Sequence, residues 1–175
     1  MIDQPRASRL AKEGFDCWQS GQLEQAVTLY VEALSFADPK HYALSDYHGE
    51  FAGVLSALGR FSEAGEQYKA ALSVQLAQDE DDFSSGVVVA RYFLAQHYLQ
   101  QNQPEVALET VAPSLKEGVS LEWILRLINA YALKDLGRAN EALLEARRTL
   151  ALAPSDEKRE ELTRSLTEKL GEIHG

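Results

Sequence analysis

Small residues recur along the chain at fixed distances from four turn positions. Glycine or asparagine, which adopt a left-handed backbone most readily, occupies each turn position. The four turn residues are Gly21, Gly59, Asn102 and Gly137. A small residue lies seven positions before each one, and an alanine lies five positions after it. These pairs are Gly14/Ala26, Ala52/Ala64, Ala95/Ala107 and Ala130/Ala142. Two antiparallel helices joined by a short turn would bring each pair face to face, where only small side chains allow close approach.

Larger side chains follow the same four alanines at helical spacing. The residues four positions after them are Tyr30, Tyr68, Val111 and Ala146, and those eight positions after are Leu34, Leu72, Leu115 and Leu150. Offsets of four and eight keep one face of a helix apolar. The pattern predicts an all-α protein with nine helices. They span approximately 6–20, 23–37, 40–58, 61–78, 84–100, 104–112, 120–136, 139–152 and 156–172.

Several residues predict where these helices begin and end. Pro104 suits the first turn of its helix, and Pro113 should end that helix early. Ser120 and Ser155 are typical N-caps. The run 79–82, all acidic, is the expected exposed loop. The last helix carries one apolar stripe, which predicts a cap over the end of a stack. The stripe consists of Leu162, Leu166, Leu170 and Ile173.

The order of small residue, turn glycine, alanine, aromatic and alanine–leucine resembles the tetratricopeptide repeat. Three segments carry the resemblance well: GQLEQAVTLYVEAL at 21–34, GRFSEAGEQYKAAL at 59–72 and GRANEALLEARRTLALAP at 137–154. NQPEVALETVAPSL at 102–115 departs from the pattern through Asn102 and Pro113. The resemblance implies a right-handed α-solenoid in a single domain, residues 1–175. Its four hairpins would span approximately 6–37, 40–78, 84–115 and 120–154, and the capping helix 156–172.

The first helix of each hairpin departs further from the family pattern. The family prefers tryptophan and leucine shortly before the small residue. This chain has instead Leu10 with Glu13, His48 with Phe51, Arg91 with Leu94 and Arg126 with Asn129. The packing between the two helices of each hairpin is therefore expected to differ in detail.

Such solenoids present a concave surface formed by the first helix of each hairpin, where a peptide or helix can lie. The resemblance assigns sixteen positions to this surface. They are Ser8, Ala11, Phe15, Trp18, Asp46, Gly49, Gly53, Ser56, Val89, Tyr92, Gln96, Leu99, Ile124, Leu127, Tyr131 and Lys134. The expected partner-binding residues are Phe15, Trp18, Asp46, Gly49, Glu50, Gly53, Tyr92, Gln96, Tyr131 and Lys134.

Gly49 and Gly53 are unusual because glycine within a helix costs about 1 kcal/mol relative to alanine. Either close packing of a neighbouring helix or room for a partner would offset that cost. The walls of such a trough would consist of four aromatic side chains, those of Phe15, Trp18, Tyr92 and Tyr131. Aromatic side chains often anchor interfaces, but at helical spacing they more often belong to the core.

One known use of the family can be tested on the sequence. Repeats that grip the C-terminal carboxylate of heat-shock chaperones use lysine, asparagine and arginine donors at five positions. The matching positions here are Ala11, Phe15, Glu50, Val89 and Phe93. None of them supplies the required donor, and the Glu50 carboxylate would repel a peptide carboxylate. The sequence therefore disfavours that use.

The net charge of −10 further limits the classes of partner that the protein is expected to bind. An acidic chain repels phosphate backbones, which disfavours nucleic acid. It favours basic proteins, although acidity also serves solubility. No apolar run is long enough for a membrane span, and the first residues lack a secretory signal. The single cysteine, Cys17, cannot form an internal disulfide, which fits a cytoplasmic protein.

Residues for catalysis are sparse. His41 and His48 could share a helix face, but no third metal ligand accompanies them. No phosphate-binding glycine loop or calcium loop occurs. We therefore expect no catalytic residues, no metal and no cofactor.

These features predict a non-enzymatic adaptor that binds a protein or peptide partner in its concave groove. The expected protein is cytoplasmic, a monomer or weak homodimer, and binds neither nucleic acid nor membrane. Two alternatives remain open: a dedicated chaperone or inhibitor of a basic secreted protein, and a structural, self-associating subunit.

Overall fold

The computed structural model describes residues 1–79 and 81–172, and the regular elements in these ranges are all helical. The α-helices are α1 (Gln4–Gln19), α2 (Leu23–Phe36), α3 (Leu44–Ala57), α4 (Phe61–Asp79), α5 (Ser85–Gln100), α6 (Pro104–Val111), α7 (Glu122–Asp135), α8 (Ala139–Ala151) and α9 (Asp156–Leu170). A 3₁₀ turn, Ala112–Ser114, follows α6. The predicted all-α fold of four hairpins and a C-terminal helix is confirmed.

Each hairpin turn closes with the same backbone geometry. The four turn residues have positive φ angles, from 57° at Asn102 to 78° at Gly21. The residue after each turn residue donates its N–H to the carbonyl five positions earlier. The bonds are Gln22 to Cys17 at 2.8 Å, Arg60 to Leu55 at 2.9 Å, Gln103 to Tyr98 at 2.9 Å and Arg138 to Leu133 at 2.9 Å. This left-handed closure terminates the first helix of each hairpin and reverses the chain.

The small residues lie inside the hairpins, as predicted. All seven alanines of the four pairs have 0% exposure, and Gly14 is buried as well. A Cβ added to Gly14 would lie 3.1 Å from Cε2 of Tyr30, so the glycine leaves room for that ring. The absence of larger side chains at these positions is what lets the paired helices approach.

The chain folds as two compact units, residues 1–80 and 81–175. In the first unit, α1 to α4 form two hairpins around one apolar cluster, which includes Tyr30, Phe51 and Leu55. In the second unit, α5 to α8 form two hairpins and α9 packs against the last of them. The single domain remains a prediction.

The start of α3 differs from the prediction. This helix begins at Leu44 rather than near residue 40. The preceding segment turns instead, because the Asp38 carboxylate accepts the Lys40 N–H at 2.9 Å and the Asp38 carbonyl accepts the His41 N–H at 3.0 Å. An aspartate before proline favours such a turn.

The prediction that Ser120 caps a helix is wrong. Helix α7 begins at Glu122, and its N-cap is Leu121, which has a φ of 59°. The Glu122 carboxylate accepts the Gly118 N–H at 2.8 Å and so holds the preceding turn itself. The other boundary signals are confirmed: Ser155 caps α9 by accepting the Lys158 N–H at 3.1 Å, and α6 ends two residues before Pro113.

The last helix covers apolar side chains of the second unit. Leu162 and Leu166 on α9 are 4% and 0% exposed and belong to one cluster with Leu127, Ala130 and Ala146. Leu170 packs against the same cluster. Ile173, the last member of the predicted stripe, lies outside the described residues, as does Glu80 of the predicted acidic loop.

Three hairpins place a polar pair at one equivalent position. The pair joins the residue eleven positions before the turn residue to the residue eight positions after it. His48 Nδ1 lies 2.7 Å from Gln67 Oε1, Arg91 donates to the Thr110 carbonyl at 3.1 Å, and Arg126 donates to Glu145 Oε2 at 3.1 Å. In the first hairpin, these positions hold Leu10 and Leu29. Polar pairs thus replace the large apolar side chains that the family prefers in the first helices.

The pair between α7 and α8 is part of a buried ionic network. The side chains of Arg126, Glu122 and Glu145 are 13%, 7% and 9% exposed. Arg126 Nε donates to Glu122 Oε1 at 2.8 Å, and Arg148 donates to Glu145 at 2.8 Å. Each carboxylate therefore has a cationic partner, and the network joins the last hairpin across its two helices.

Ala64→Leu will lower the free energy of unfolding by about 1–3 kcal/mol, because four heavy atoms replace one at a closed contact between α3 and α4. Ala77→Leu makes the same change at an exposed position of α4 and is the matched control. Urea unfolding followed by circular dichroism measures both. Equal stabilities of the two variants would contradict the closed contact.

Arg126→Leu will destabilise the second unit by about 3–5 kcal/mol, because it leaves two buried carboxylates without their shared cation. Adding Glu145→Leu to this variant will recover part of the loss, since it removes one of those carboxylates and creates a leucine pair like Leu10 and Leu29. A double-mutant cycle in urea measures the coupling. Additive effects of the two substitutions would show that the network does not join the helices energetically.

Candidate protein-interaction faces

In the first unit, the predicted partner-binding residues lie on α1 and α3, and we call them the α1–α3 face. They are Phe15, Trp18, Asp46, Gly49, Glu50 and Gly53. A cavity of about 260 Å³, the α1–α3 cavity, opens beside them. It is lined by Ser8, Ala11, Lys12, Phe15, Tyr47 and Glu50. The face and the cavity share Phe15 and Glu50, so an aromatic ring and a carboxylate meet at one opening.

Phe15 and Trp18 form the aromatic part of this face. Their ring centroids lie 6.0 Å apart, with the ring planes at 89°, which is an edge-to-face arrangement. Phe15 is 38% exposed, whereas Trp18 is half-buried. The Phe15 ring is therefore available to a partner, and Trp18 supports it.

The two glycines of α3 have different surroundings. A Cβ added to Gly53 would lie 2.5 Å from Cη2 of Trp18, closer than side-chain atoms can approach. A Cβ added to Gly49 would meet nothing within 4 Å. Close packing thus accounts for Gly53, where the indole of α1 lies against the α3 backbone. Space remains open only at Gly49.

Glu50 lies at the junction of three helices. Tyr30 of α2, which is fully buried, donates its hydroxyl hydrogen to Glu50 Oε2 at 2.9 Å. Burial raises the pKa of Glu50, the Tyr30 hydrogen bond lowers it, and the charge of Asp46 raises it; the result is a raised pKa. Burial is also the main cause of the raised pKa of Tyr30, and the Glu50 charge adds to it. A negative charge on Glu50 is therefore costly in the free protein.

Asp46 lies one helical turn before Glu50, and burial raises the pKa of its carboxyl group as well. Among the described residues, no Lys, Arg or His nitrogen lies within 4 Å of either carboxylate. Lys12, the cation that lines the cavity, is paired with Asp16 at 3.0 Å. The α1–α3 face therefore carries two carboxylates without a countercharge.

Polar contacts hold the far wall of the cavity. The hydroxyl groups of Ser8 and Tyr47 lie 2.9 Å apart, and Gln4 Nε2 donates to both, at 3.0 Å and 3.2 Å. Gln4 Oε1 accepts the Asp38 N–H at 2.9 Å. These bonds link α1, α3 and the turn before α3, so the cavity is held open by a connected set of hydrogen bonds.

In the second unit, Tyr92, Gln96, Tyr131 and Lys134 lie on α5 and α7, and we call them the α5–α7 face. All four are half-buried. The Tyr131 hydroxyl lies 2.5 Å from Ser165 Oγ on α9. Burial raises the pKa of Tyr92, with a smaller contribution from Tyr131. Helix α9 thus contacts this face.

Three of the sixteen positions assigned to a concave surface are buried instead. Ile124 and Leu127 of α7 are 7% and 8% exposed, and Ala11 of α1 is 2% exposed. Leu127 belongs to the cluster that α9 covers. The assignment of Ile124 and Leu127 to a binding surface is therefore wrong, because both side chains already belong to the core. Ala11 only lines the floor of the α1–α3 cavity.

The offset pattern did not identify Lys12, Tyr47 or Tyr30 as parts of this site. Lys12 and Tyr47 each come directly after an assigned residue, Ala11 and Asp46, and therefore lie at the edge of the same helix face. Tyr30 has the spacing of a core aromatic, and it is one. Its hydroxyl was the available signal, because a buried tyrosine oxygen requires a hydrogen-bond partner.

Within residues 1–79 and 81–172, no three His, Cys, Asp or Glu side chains are grouped as a metal site would require. His48 is bonded to Gln67, and His41 Nδ1 accepts the Ala43 N–H at 3.3 Å. In the same part of the chain, no helix combines the length and apolar content that a bilayer crossing demands.

Glu50→Gln will stabilise the first unit at neutral pH, and the gain will disappear in acid. The folded-state pKa of Glu50 lies above its unfolded value, so ionisation destabilises the folded state as pH rises through that range. Tyr30, Asp46 and Lys12 face this carboxyl and are unchanged in the variant. Urea unfolding at several pH values measures the difference. Glu24→Gln, an exposed change on α2, is the control, and a constant advantage at all pH values would contradict the raised pKa.

Comparisons with known proteins agree with this fold. No protein-family model matches the sequence. Over 101 residues, 58% of the chain, the sequence is 32% identical to the Hsp70-Hsp90 organising protein of Plasmodium falciparum, and the match covers 36% of that relative. A protein of the same name from isolate 3D7 is also 32% identical over 101 residues, which is 16% of its length. The chain thus corresponds to about a third or less of these relatives.

Solved structures match nearly the whole chain. A Podosopora anserina kinesin light chain structure with nearly identical TPR-like repeats aligns over 97% of this chain and 87% of its own, with 17% identity and a TM-score of 0.74. BtubC from P. vanneervenii aligns over 95% and 82%, with 18% identity and a TM-score of 0.70. MamA AMB-1 aligns over 93% and 88%, with 20% identity and a TM-score of 0.61. The hairpins, their turns and these alignments together show that the chain has the tetratricopeptide-repeat fold.

Proposed function

We propose that the chain is a non-enzymatic adaptor whose α1–α3 face binds a peptide or helix of a partner protein. The observation that carries the proposal is the combination of an exposed Phe15 ring, open space over Gly49 and a cavity between the two helices. Exposed aromatic rings beside a recess are typical anchors of protein interfaces. The adaptor works in the cytoplasm, as a monomer or weak homodimer.

The fold supports this proposal, because repeat proteins present helix faces on which extended peptides or helices lie. The relatives from Plasmodium falciparum are named Hsp70-Hsp90 organising proteins, and a name that refers to other proteins supports an adaptor role. The α1–α3 face lacks donors for a chaperone's C-terminal carboxylate, since Phe15 and Glu50 occupy matching positions. The proposed partner is therefore a polypeptide that is not bound through the C-terminal carboxylate of a chaperone.

Gly49→Trp will abolish partner capture and leave helicity intact, because its side chain enters open space and fills the face. The test is affinity capture from the native host with tagged full-length protein and quantitative mass spectrometry. Val31→Trp adds the same side chain to an exposed position of α2 and is the matched control.

Proteins captured by the parent chain and by Val31→Trp, but lost with Gly49→Trp, are the expected result. Circular dichroism of the three proteins establishes that all are folded. An identical set of captured proteins for all three would show that the α1–α3 face is not the binding site.

A further inference from the structure

The size of the α1–α3 cavity limits what can enter it. Its volume is about 260 Å³. Pockets that enclose whole small molecules are larger, with volumes of about 300–1,000 Å³. It suits one long side chain of a partner polypeptide. Phe15 and Ala11 line it from α1, and Glu50 and Tyr47 line it from α3.

The charges around this cavity favour a cation. Residues 1–80 hold six Lys/Arg and twelve Asp/Glu residues, a formal charge of −6. Five of the six cations are paired with acids away from Asp46 and Glu50. The sixth, Lys40, lies in the turn before α3, and its side-chain nitrogen has no carboxylate within 4 Å among the described residues. The cavity therefore has an acidic wall that the chain itself does not neutralise.

The Glu50 carboxylate is held in place although it lacks a countercharge. Tyr30 fixes Glu50 through a hydrogen bond of 2.9 Å, and this tyrosine is itself immobilised by full burial. Asp46 lies one turn away on the same side of α3, close enough to act on Glu50 electrostatically. Such an arrangement is costly in the free protein and becomes favourable when a cation arrives.

From the cavity, its acidic wall and its exposed ring, we infer that the α1–α3 face recognises an arginine or lysine side chain of the partner polypeptide. The inference rests on the proposed function and specifies the chemistry of the partner. The methylene groups of that side chain pack on Ala11 and Phe15. Its charged end reaches Glu50 and Asp46, and the Phe15 ring adds a cation–π contact. Arginine fits better than lysine, because its planar guanidinium can donate to both carboxylates.

The test uses short peptides with blocked termini that are identical except for one central residue: arginine, lysine, citrulline or glutamate. Binding to the full chain is followed by ¹H–¹⁵N NMR titration, with the Trp18 indole N–H and the amides of α1 and α3 as reporters. Citrulline keeps the shape of arginine and removes its charge. We expect arginine to bind most tightly, lysine next, and citrulline and glutamate not measurably.

Two variants separate a specific contact from general attraction to an acidic protein. Glu50→Gln and Glu24→Gln each remove one negative charge from the first unit, but Glu24 lies exposed on α2. We expect Glu50→Gln to weaken arginine-peptide binding about tenfold, as expected for the loss of a partly exposed charge-assisted hydrogen bond. Glu24→Gln will change it by less than about twofold, since only screened long-range attraction is lost.

Equal binding of the arginine and citrulline peptides overturns the inference, as does equal weakening by the two variants. Shifts confined to α5–α9 overturn it too, because they place the cation elsewhere. If Gly49→Trp abolishes partner capture while Glu50→Gln does not, the adaptor proposal stands and the cationic anchor is wrong. If Gly49→Trp has no effect on capture, the proposed function itself fails.

Discussion

Close approach of two helices at a pair of small side chains is the constraint on which this structure depends. Seven alanines with no exposed surface and one buried glycine make up the four pairs. Interiors are packed too densely for one added side chain to be absorbed without movement. The left-handed turns then set the distance along the chain at which each contact forms, which explains the constant separation of twelve residues.

The sequence was sufficient to predict the four hairpins, because spacing and turn chemistry are local properties. It did not predict the start of α3 or of α7. At both positions, a side chain stabilises a turn in place of the first helical residues. The Asp38 carboxylate accepts the Lys40 N–H, and the Glu122 carboxylate accepts the Gly118 N–H. It also could not show that His48, Arg91 and Arg126 would find partners at one equivalent position, since a cross-helix pair depends on both helices being in place.

The partner-binding residues remain predictions, and the structure decides which of the assigned positions stay exposed. Gly49 and Gly53 look alike in the sequence, yet Trp18 fills the space over one of them and nothing covers the other. Ile124 and Leu127 follow the same offsets from their turn residue as Asp46 and Gly49 of α3, yet Ile124 and Leu127 are buried. Leu127 packs in the cluster that α9 covers. Which faces stay open depends on neighbouring elements, and the offset pattern contains no information about them. In the first unit, by contrast, the Phe15 ring stays exposed, and the carboxylates of Asp46 and Glu50 lack a countercharge. Such unfavourable placement of charge is common at binding sites.

The central claim is that two small residues meet inside each hairpin, and a methyl–methyl NOE spectrum of the three alanine–alanine pairs tests it most directly. With alanine methyl groups labelled in an otherwise deuterated full chain, the account predicts cross-peaks between Ala52 and Ala64, between Ala95 and Ala107, and between Ala130 and Ala142. Absence of these cross-peaks, with alanine methyls exposed to a soluble paramagnetic probe, would contradict it.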